Sequence, residues 1–179
     1  MFQAIKLKKV TKESNSELQQ ICFNAYAQNF ADHWNENGLD LYLEKEFGKE
    51  RLEMELKSNS IFYYYVLLNQ MIVGFLKINY NPTFRISNHN TCELEKIYIL
   101  PKHKGLGIGK AALKGIIEKI RKRGHKMLFL CVIDTNIQAI AFYKKFGFNF
   151  HSKTRLNDSY FKEELKGMNR MYLDLNNSK

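Results

Sequence analysis

Three glycines at alternate positions, in the stretch HKGLGIGK over residues 103–110, form the pattern with the clearest chemical meaning in the chain. Glycine is costly inside a helix, but at a turn that leads into one it leaves backbone N–H groups open to a ligand. Lys104 and Lys110 flank the glycines, and a helical pattern follows. The stretch therefore predicts a site for an anion, bound by backbone amides at the start of a helix.

The glycine spacing distinguishes this loop from two familiar phosphate-binding loops. The dinucleotide fingerprint G-x-G-x-x-G needs two residues before its third glycine, and only Ile108 stands there. The Walker loop G-x-x-x-x-G-K-[ST] does not fit, because Lys104 occupies the position of its first glycine and Ala111 that of its Ser or Thr. Since this hydroxyl for a magnesium ion is missing, the sequence predicts a pyrophosphate held mainly by backbone, without a metal.

Charge is divided unequally along the chain. The net charge is +10, but residues 102–126 carry nine bases and one acid, whereas residues 32–56 carry eight acids and three bases. The basic segment surrounds the glycines and predicts an anionic ligand, and the acidic segment is suited to a cation. The alternative for each segment is a solvated helix face.

Several classes of protein are disfavoured by the composition. The three cysteines are widely spaced and form no CxxC pattern, so we expect neither a disulfide framework nor a metal site. The longest apolar run, residues 61–68, is far shorter than the roughly 20 residues of a membrane span. No signal-peptide pattern follows Met1 and no base-reading motif accompanies the basic segment. We therefore expect a cytoplasmic protein that binds neither membranes nor nucleic acid.

Hydrophobic periodicity predicts the elements that position these residues. An apolar pair of strands separated by Asn69-Gln70 indicates a hairpin, and residues 81–91 form the clear loop. Leu113, Ile116, Ile117 and Ile120 form one apolar stripe on the helix after the glycines. The predicted strands are 2–10, 61–68, 71–80, 92–100, 126–133, 148–152 and 169–175, and the predicted helices are 14–30, 39–47, 49–57, 107–123 and 135–146. The pattern is typical of an α/β domain with a mixed sheet.

Two motifs together resemble a known family. The loop K104-G-L-G107-I-G109 is similar to the [QR]-x-x-G-x-[GA] acetyl-coenzyme A loop of the GNAT N-acetyltransferases, with Lys104 in place of Gln or Arg. One strand later, N136-I-Q-A139-I-A-F142-Y143-K-K-F-G147-F148 matches the family segment N-x-x-A-x-x-F-Y-x-x-x-G-F. The resemblance covers essentially the whole chain. Within the family, the chain looks most similar to bacterial PaiA-type polyamine acetyltransferases.

The resemblance implies one N-acetyltransferase domain over residues 1–179. It would have a mostly antiparallel sheet of six to seven strands, flanked by helices and splayed between strands 92–100 and 126–133. The pantetheine arm of acetyl-coenzyme A would enter this gap and bond to the backbone of Ile97, Tyr98 and Ile99. Asn136, Ala139 and Tyr143 are implied as further cofactor contacts. The diphosphate would lie on the amides of Lys104, Gly105, Leu106, Gly107, Ile108, Gly109 and Lys110.

The same resemblance implies catalytic roles. Tyr143 is the candidate acid for the departing thiolate, since a phenol with a pKa near 10 is protonated at neutral pH. Glu95 and Glu93, two apart on one strand, are the candidate proton acceptors for the amine, with Glu95 preferred. A structural ion pair with a lysine is the alternative for these carboxylates. Cys92 and Cys131 have no neighbouring histidine in sequence, so direct attack on the thioester is expected instead of an acyl-enzyme.

The early helices are expected to bind the acceptor. Tyr26, Trp34 and Tyr42 cluster there with the acids of residues 32–56, which suits an amine with an apolar body or a polycation; the alternative is that these aromatics are core residues. A polyamine such as spermidine or spermine is the first hypothesis, and peptide amino termini, aminoglycosides and amino acids are its rivals. A sensor that binds acyl-coenzyme A without turnover is the alternative to an enzyme. Dimers are common among such folds, so a homodimer is one expected assembly.

Overall fold

The computed structural model describes residues 5–86 and 90–176. Within them, strands and helices follow one another along the chain much as the periodicity predicts. The strands are β1 (Ile5–Lys9), β2 (Ile61–Leu68), β3 (Met71–Asn79), β4 (Thr91–Ile99), β5 (Met127–Ile133), β6 (Asn149–Arg155) and β7 (Gly167–Asp174). The helices are α1 (Asn15–Phe30), α2 (Gly38–Phe47), α3 (Lys49–Leu56), α4 (Ile108–Lys122) and α5 (Ile137–Lys144).

The seven strands form one sheet in the order β1-β2-β3-β4-β5-β7-β6. Neighbours are antiparallel except β4 and β5, which are parallel, so the expected mixed and mostly antiparallel sheet is confirmed. The β2–β3 hairpin is also confirmed. Its turn residues Asn69 and Gln70 have φ angles of 48° and 72°, the left-handed region that matches the twist of a two-residue hairpin.

Helices cover both faces of the sheet. The stripe of α4 is buried as predicted, with Leu113, Ile116 and Ile120 fully buried and Ile117 nearly so, and α5 packs beside it. Helices α1, α2 and α3 form the second core on the opposite face, around Leu18, Phe47 and Phe75. Central strands are therefore apolar on both faces, which explains their continuous runs of apolar residues.

The sheet opens between β4 and β5. These strands pair only from Thr91–Glu93 to Met127–Phe129. Beyond that point β4 stays paired with β3 and β5 with β7, so the two strands diverge and leave a gap. The splay expected between strands 92–100 and 126–133 is present.

A β-bulge in β4 lies at the start of the gap. Lys77 of β3 pairs with Lys96, but the next residue, Ile78, pairs with Leu94, so Glu95 is an extra residue. Because a bulge shifts the alternation of side chains, Leu94 and Ile97 both pack against the core on the α4 side. A bulge also increases local twist, which is consistent with the divergence of β4 from β5.

Element ends differ from the predictions by a few residues. Helix α5 is shorter than the predicted 135–146, because Asn136 is its N-cap and the helix ends at Lys144. Strand β7 begins two residues earlier than predicted, at Gly167. The start of the predicted strand 2–10 and residues 87–89 of the predicted loop lie outside the described residues.

Candidate functional site

A groove of about 980 Å³ follows the gap between β4 and β5. One end is formed by the glycine loop at the start of α4, and the opposite end by aromatic residues of α1 and α2. Residues of α5, among them Tyr143, line the groove as well. The groove therefore joins the predicted anion site to the predicted acceptor site.

The glycine loop presents open amides. Gly105 and Gly107 have φ angles of 79° and 73°, and a Cβ atom at either position would meet no atom within 4 Å, so the space beside them is free. The first amide of this region with an acceptor in the described chain is that of Ala111, which donates to Gly107. The amides from Gly105 to Lys110 have no such acceptor within residues 5–86 and 90–176. Consecutive unpaired donors at a helix start fit a diphosphate.

His103 adds a second open donor or acceptor beside the loop. It lines the groove, and its Nε2 atom is buried without a hydrogen-bond partner in the described part of the chain. Buried polar atoms are normally paired, so an unpaired one at a groove wall suggests a ligand contact. The loop residues and His103 together fit a ligand that carries phosphate oxygens.

The predicted backbone contacts on β4 are only partly open. Ile97, Tyr98 and Ile99 line the groove and pair with β3, while no residue of β5 pairs with their other edge. The carbonyl of Ile99, however, accepts a hydrogen bond of 3.1 Å from Nδ2 of Asn29 on α1. Backbone groups of successive residues in an antiparallel strand face opposite edges, and the amide of Leu100 donates to Val73 of β3, so the backbone of Tyr98 faces β3 while Ile97 and Ile99 face the gap. The expected contact to the Tyr98 backbone is therefore corrected. An extended ligand arm finds the backbone of Ile97 and the amide of Ile99 open, whereas the Ile99 carbonyl already has a partner.

Tyr143 is a residue of α5 that lines the groove. Burial raises the pKa of Tyr143 to about 12. The pKa of the neighbouring Tyr98 is also raised, first by burial and next by Tyr42, with Tyr143 contributing and Lys96 opposing. The phenol of Tyr143 is therefore protonated throughout the neutral range, as an acid catalyst requires.

Asn136 and Ala139 mark the start of α5. The side-chain oxygen of Asn136 accepts a hydrogen bond of 3.0 Å from the amide of Ala139, so Asn136 acts as the helix cap. Both residues also line the groove. The cap uses the Oδ1 atom of Asn136 and leaves its NH2 group for a ligand.

Glu95, the bulged residue, lines the groove, and two side chains of β3 hold its carboxylate. Its Oε2 atom lies 2.7 Å from Nζ of Lys77, and its Oε1 atom accepts a hydrogen bond of 3.0 Å from Asn79. Lys77 also lies 2.8 Å from Glu55 of α3, and both of these side chains are only 2% exposed. Glu95 thus forms the ion pair considered as its alternative, and it is also one of the residues that line the groove.

Glu93 lies on the same side of β4, next to Glu95. The pKa of Glu93 is raised to about 7, first by burial and next by the charge of Glu95, against the opposing effect of Lys96, Lys77 and Arg170. A carboxyl group with this pKa can take up and release a proton near neutral pH. Glu93 is not among the residues that line the groove.

The acceptor end is aromatic. Tyr26 and Tyr42 line it with ring centroids 4.5 Å apart, together with Phe30, and Tyr98 closes the cluster. Trp34 lies behind Tyr42, at 4.7 Å between centroids, and does not line the groove. Trp34 is therefore a buried residue that supports the ring of Tyr42. This position is close to the alternative interpretation, in which the aromatic residues belong to the core.

The acids of residues 32–56 do not form a cation site in the groove, which corrects that expectation. The two that are not exposed are engaged: Glu46 pairs with Lys96 at 3.1 Å, and Glu55 pairs with Lys77. The physical reason is the orientation of α2 and α3, whose polar faces point to solvent. The exposed acids are Asp32, Glu36, Asp40, Glu44, Glu50 and Glu53.

Several groove residues were missed by the sequence analysis. Lys96 and Asn29 are the main ones, and His103 and Phe161 line the groove as well. The position of Lys96 in the mostly apolar strand segment LEKIYI could have indicated a role for this lysine, because a buried ammonium needs partners. Asn29 and Phe161 carry no such local signal.

Metal-binding clusters and membrane-crossing helices are both absent from the described residues, 5–86 and 90–176. They contain no group of three or more His, Cys, Asp or Glu side chains placed to hold a metal ion. No helix among them is both long and apolar enough to cross a membrane.

Comparison with known proteins shows several relatives. An uncharacterized N-acetyltransferase of Methanocaldococcus jannaschii is 28% identical over 144 residues, which is 79% of this chain and 59% of that protein. The spermine/spermidine N(1)-acetyltransferase of Bacillus subtilis is 31% identical over 88 residues, 48% of this chain and 58% of that protein. The chain thus spans less than two thirds of the length of both relatives.

Solved structures share the fold. The PaiA N-acetyltransferase of Thermoplasma acidophilum, in complex with coenzyme A, superposes with a TM-score of 0.73 at 21% identity, covering 96% of this chain and 99% of that one. A point mutant of the spermidine N-acetyltransferase SpeG of Vibrio cholerae gives a TM-score of 0.69 at 14% identity, covering 96% of this chain and 94% of that one. The family model of the acetyltransferase (GNAT) family matches residues 20–148, most of the chain. Fold, loop and sequence match agree, and the chain belongs to the acetyltransferase (GNAT) family.

Proposed function

We propose that this protein transfers an acetyl group from acetyl-coenzyme A to the nitrogen of a small primary amine by direct attack. The observation that supports it most is the groove, because the glycine loop, Tyr143, Glu95 and the aromatic residues of α1 and α2 all line it. The proposal also includes a single cytoplasmic domain over residues 1–179. Light scattering of the purified protein tests whether it is a monomer or a homodimer.

The glycine loop and β4 would hold the acetyl donor. The amides between Gly105 and Lys110 would bind the diphosphate, and Lys104 and Lys110 add positive charge beside it. The backbone of Ile97 and the amide of Ile99 would hold the extended arm along the gap. When bound, acetyl-coenzyme A supplies an acetyl thioester and leaves as a thiolate after its acetyl carbon has bonded to the amine nitrogen.

Two side chains would move the protons. Only about one alkylamine molecule in 2,500 is unprotonated at pH 7, so the acceptor must lose a proton before it attacks. We assign its uptake to Glu95, directly or through water, because Glu95 is the carboxylate that lines the groove. Glu93 is the alternative because its pKa is about 7. Tyr143 would donate its phenolic proton to the departing sulfur.

The cysteines are poor nucleophiles here. Burial raises the pKa of Cys92 to about 12, and burial with the charge of Glu93 raises that of Cys131 to about 11. The thiolate, which is the reactive form, is therefore scarce at neutral pH. This supports direct attack over an acyl-enzyme.

A polyamine is proposed as the acceptor because of the similarity to named relatives. The Bacillus subtilis protein is named for spermine and spermidine, and its aligned segment covers 48% of this chain. Peptide amino termini, aminoglycosides and amino acids are the other acceptors in the proposal. The alternative function is a sensor that binds acyl-coenzyme A at the same donor site without turnover. The presence of Tyr143 in the groove favours the enzyme.

A thiol-release assay tests the proposal. Acetyl-coenzyme A is supplied with spermidine, spermine, peptide amines, amino acids and aminoglycosides in turn, and acetylated product is identified by mass spectrometry. We expect release with at least one amine class, and a strong loss in the Glu95→Gln or the Glu93→Gln variant that identifies the proton acceptor. Tight binding of coenzyme A without release for any amine would instead favour the sensor.

A further inference from the structure

Two opposite charges lie side by side on the groove wall. In a regular strand, Glu95 and Lys96 would point to opposite faces, but the bulge at Glu95 brings both to the side of α2 and α3. The contacts show this arrangement, since Glu95 reaches Lys77 and Asn79 while Lys96 reaches Glu46. Both residues line the groove.

Each charge is held by a partner of opposite sign. Lys77 binds Glu95 at 2.7 Å and is itself paired with Glu55 at 2.8 Å. Glu46 binds Lys96 at 3.1 Å, and neither Glu46 nor Glu55 is among the groove-lining residues. Two neighbouring residues of the groove wall, Glu95 and Lys96, therefore carry a carboxylate and an ammonium that these partners hold in place.

The ammonium of Lys96 has one donor to spare. It donates to Glu46 at 3.1 Å and to the hydroxyl of Tyr42 at 3.5 Å, and an ammonium has three N–H groups. The ammonium also lies 5.9 Å from the ring centroid of Tyr42 and 5.4 Å from that of Phe47, but within the described ranges no third oxygen or nitrogen accepts a hydrogen bond from it. Lys96 is 9% exposed, so water has little access to that donor, and an oxygen atom of a ligand would satisfy it.

Lys96 also lies close to the proposed reaction centre. Lys96 directly follows Glu95 on β4, donates to the hydroxyl of Tyr42 at 3.5 Å, and lines the same groove as Tyr143. An acceptor whose nitrogen is near Tyr143 and Glu95 would therefore place its adjacent atoms near Lys96. A second ammonium at that position would meet a like charge.

We propose that the acceptor is a primary amine with a carboxylate or carbonyl oxygen on the adjacent carbon, such as an α-amino acid or the first residue of a peptide. Glu95 contacts its nitrogen, and Lys96 donates a hydrogen bond to its oxygen. The rings of Tyr26, Phe30 and Tyr42 favour an apolar side chain. The inference rests on the proposed acetyl transfer and narrows its acceptor, with Lys96 as the residue that determines specificity.

The test compares three matched amines with a polyamine. L-phenylalanine, L-phenylalanine amide and phenethylamine differ only in the group beside the amine, and spermidine represents the polycations. A charge-assisted hydrogen bond predicts that kcat/KM for phenylalanine exceeds that for phenethylamine by about tenfold or more, with the amide in between. We expect this ratio to fall close to one in Lys96→Met and to persist in Lys96→Arg.

A binding measurement separates this inference from the proposed function. Titration calorimetry on the protein loaded with coenzyme A compares the products N-acetylphenylalanine and N-acetylphenethylamine, in the parent and in Lys96→Met. The variant Glu46→Gln, which keeps the ammonium, reports any loss of folding from a broken ion pair. We expect a preference of about tenfold for the carboxylate product that only Lys96→Met removes.

The outcomes are distinguishable. If no amine is acetylated but the binding preference depends on Lys96, the proposed acetyl transfer fails, while the recognition of the carboxylate by Lys96 stands. If amines are acetylated but the preference is absent, or the same in Lys96→Met, the inference is overturned and the proposed function stands. A higher kcat/KM for spermidine than for phenylalanine also overturns it.

Discussion

The Nζ atom of Lys77 lies 2.7 Å from Oε2 of Glu95, and this ion pair joins the buried face of β3 to the groove. The same ammonium lies 2.8 Å from Glu55, which also accepts a hydrogen bond of 2.5 Å from the hydroxyl of Tyr63. Helix α3 is therefore connected through Lys77 to the proposed proton acceptor. The pairing is one reason why the bulged residue keeps a defined position.

Removal of Lys77 should destabilise the fold strongly. In Lys77→Met, the carboxylates of Glu55 and Glu95 lose their shared ammonium, although Glu55 keeps the guanidinium of Arg51 at 2.8 Å. We therefore expect a loss of about 3 kcal/mol in the free energy of unfolding by urea, at the lower end of the range for a broken buried pair. Lys57→Met is the matched control, because it breaks an exposed pair with Glu53 of the same helix and should cost less than about 1 kcal/mol.

The double variant Lys77→Met with Glu55→Gln tests the reason for this loss. If the weaker compensation of the buried Glu55 carboxylate, which keeps only Arg51 of its two cations, is responsible, neutralising Glu55 should recover part of the stability. A double variant no more stable than Lys77→Met would contradict that explanation.

Glu93 should make stability depend on pH. Its pKa is raised from 4.5 to about 7 in the folded protein, so the folded state binds more protons than the unfolded state in this window. The stabilisation is therefore complete below pH 4.5 and is lost as pH rises through about 7, by at most about 3 kcal/mol. Urea midpoints of the parent and Glu93→Gln should diverge between pH 4.5 and 7, with the parent losing stability relative to the variant. Parallel curves would show that Glu93 has an ordinary pKa.

Gly107 should matter for coenzyme A more than for folding. Gly107 and Gly124 lie at opposite ends of α4, with φ angles of 73° and 81°, and neither has an atom within 4 Å of an added Cβ. Alanine at either position should cost about 1–2 kcal/mol of stability, because both positions require the left-handed conformation. Only Gly107→Ala should weaken binding of coenzyme A, measured by calorimetry, since only Gly107 lies in the loop of open amides. Equal weakening in both variants would argue against the loop as the diphosphate site.

Tyr143→Phe should lower kcat by roughly 100-fold or more, because the sulfur then leaves without a proton donor. Since the pKa of Tyr143 is about 12, the parent should lose no activity between about pH 7 and 10 through this residue. Tyr160→Phe is the control, since Tyr160 is 46% exposed and does not line the groove. A Tyr143→Phe enzyme with full kcat would exclude the phenol as the acid.

The sequence by itself determined the features that depend on local spacing. Alternate glycines before a helical stripe predicted the loop and α4, and the segment from Asn136 to Phe148 placed Tyr143 beside that loop. Turn residues 69 and 70 predicted the hairpin, because a two-residue turn between two apolar runs allows few other structures. These patterns lie within a few residues of one another, so the chain encodes them without reference to its fold.

Only the tertiary structure decided which charged residues line the groove. The acids of α2 and α3 were expected to line it, but the helices turn them to solvent or toward Lys77 and Lys96, which lie on strands far along the chain. The bulge at Glu95 reverses the alternation of β4, and no local pattern in CELEKIYIL reveals it. Burial, pairing and strand register depend on which segments pack together, and that is settled only when the whole sheet and its helices assemble.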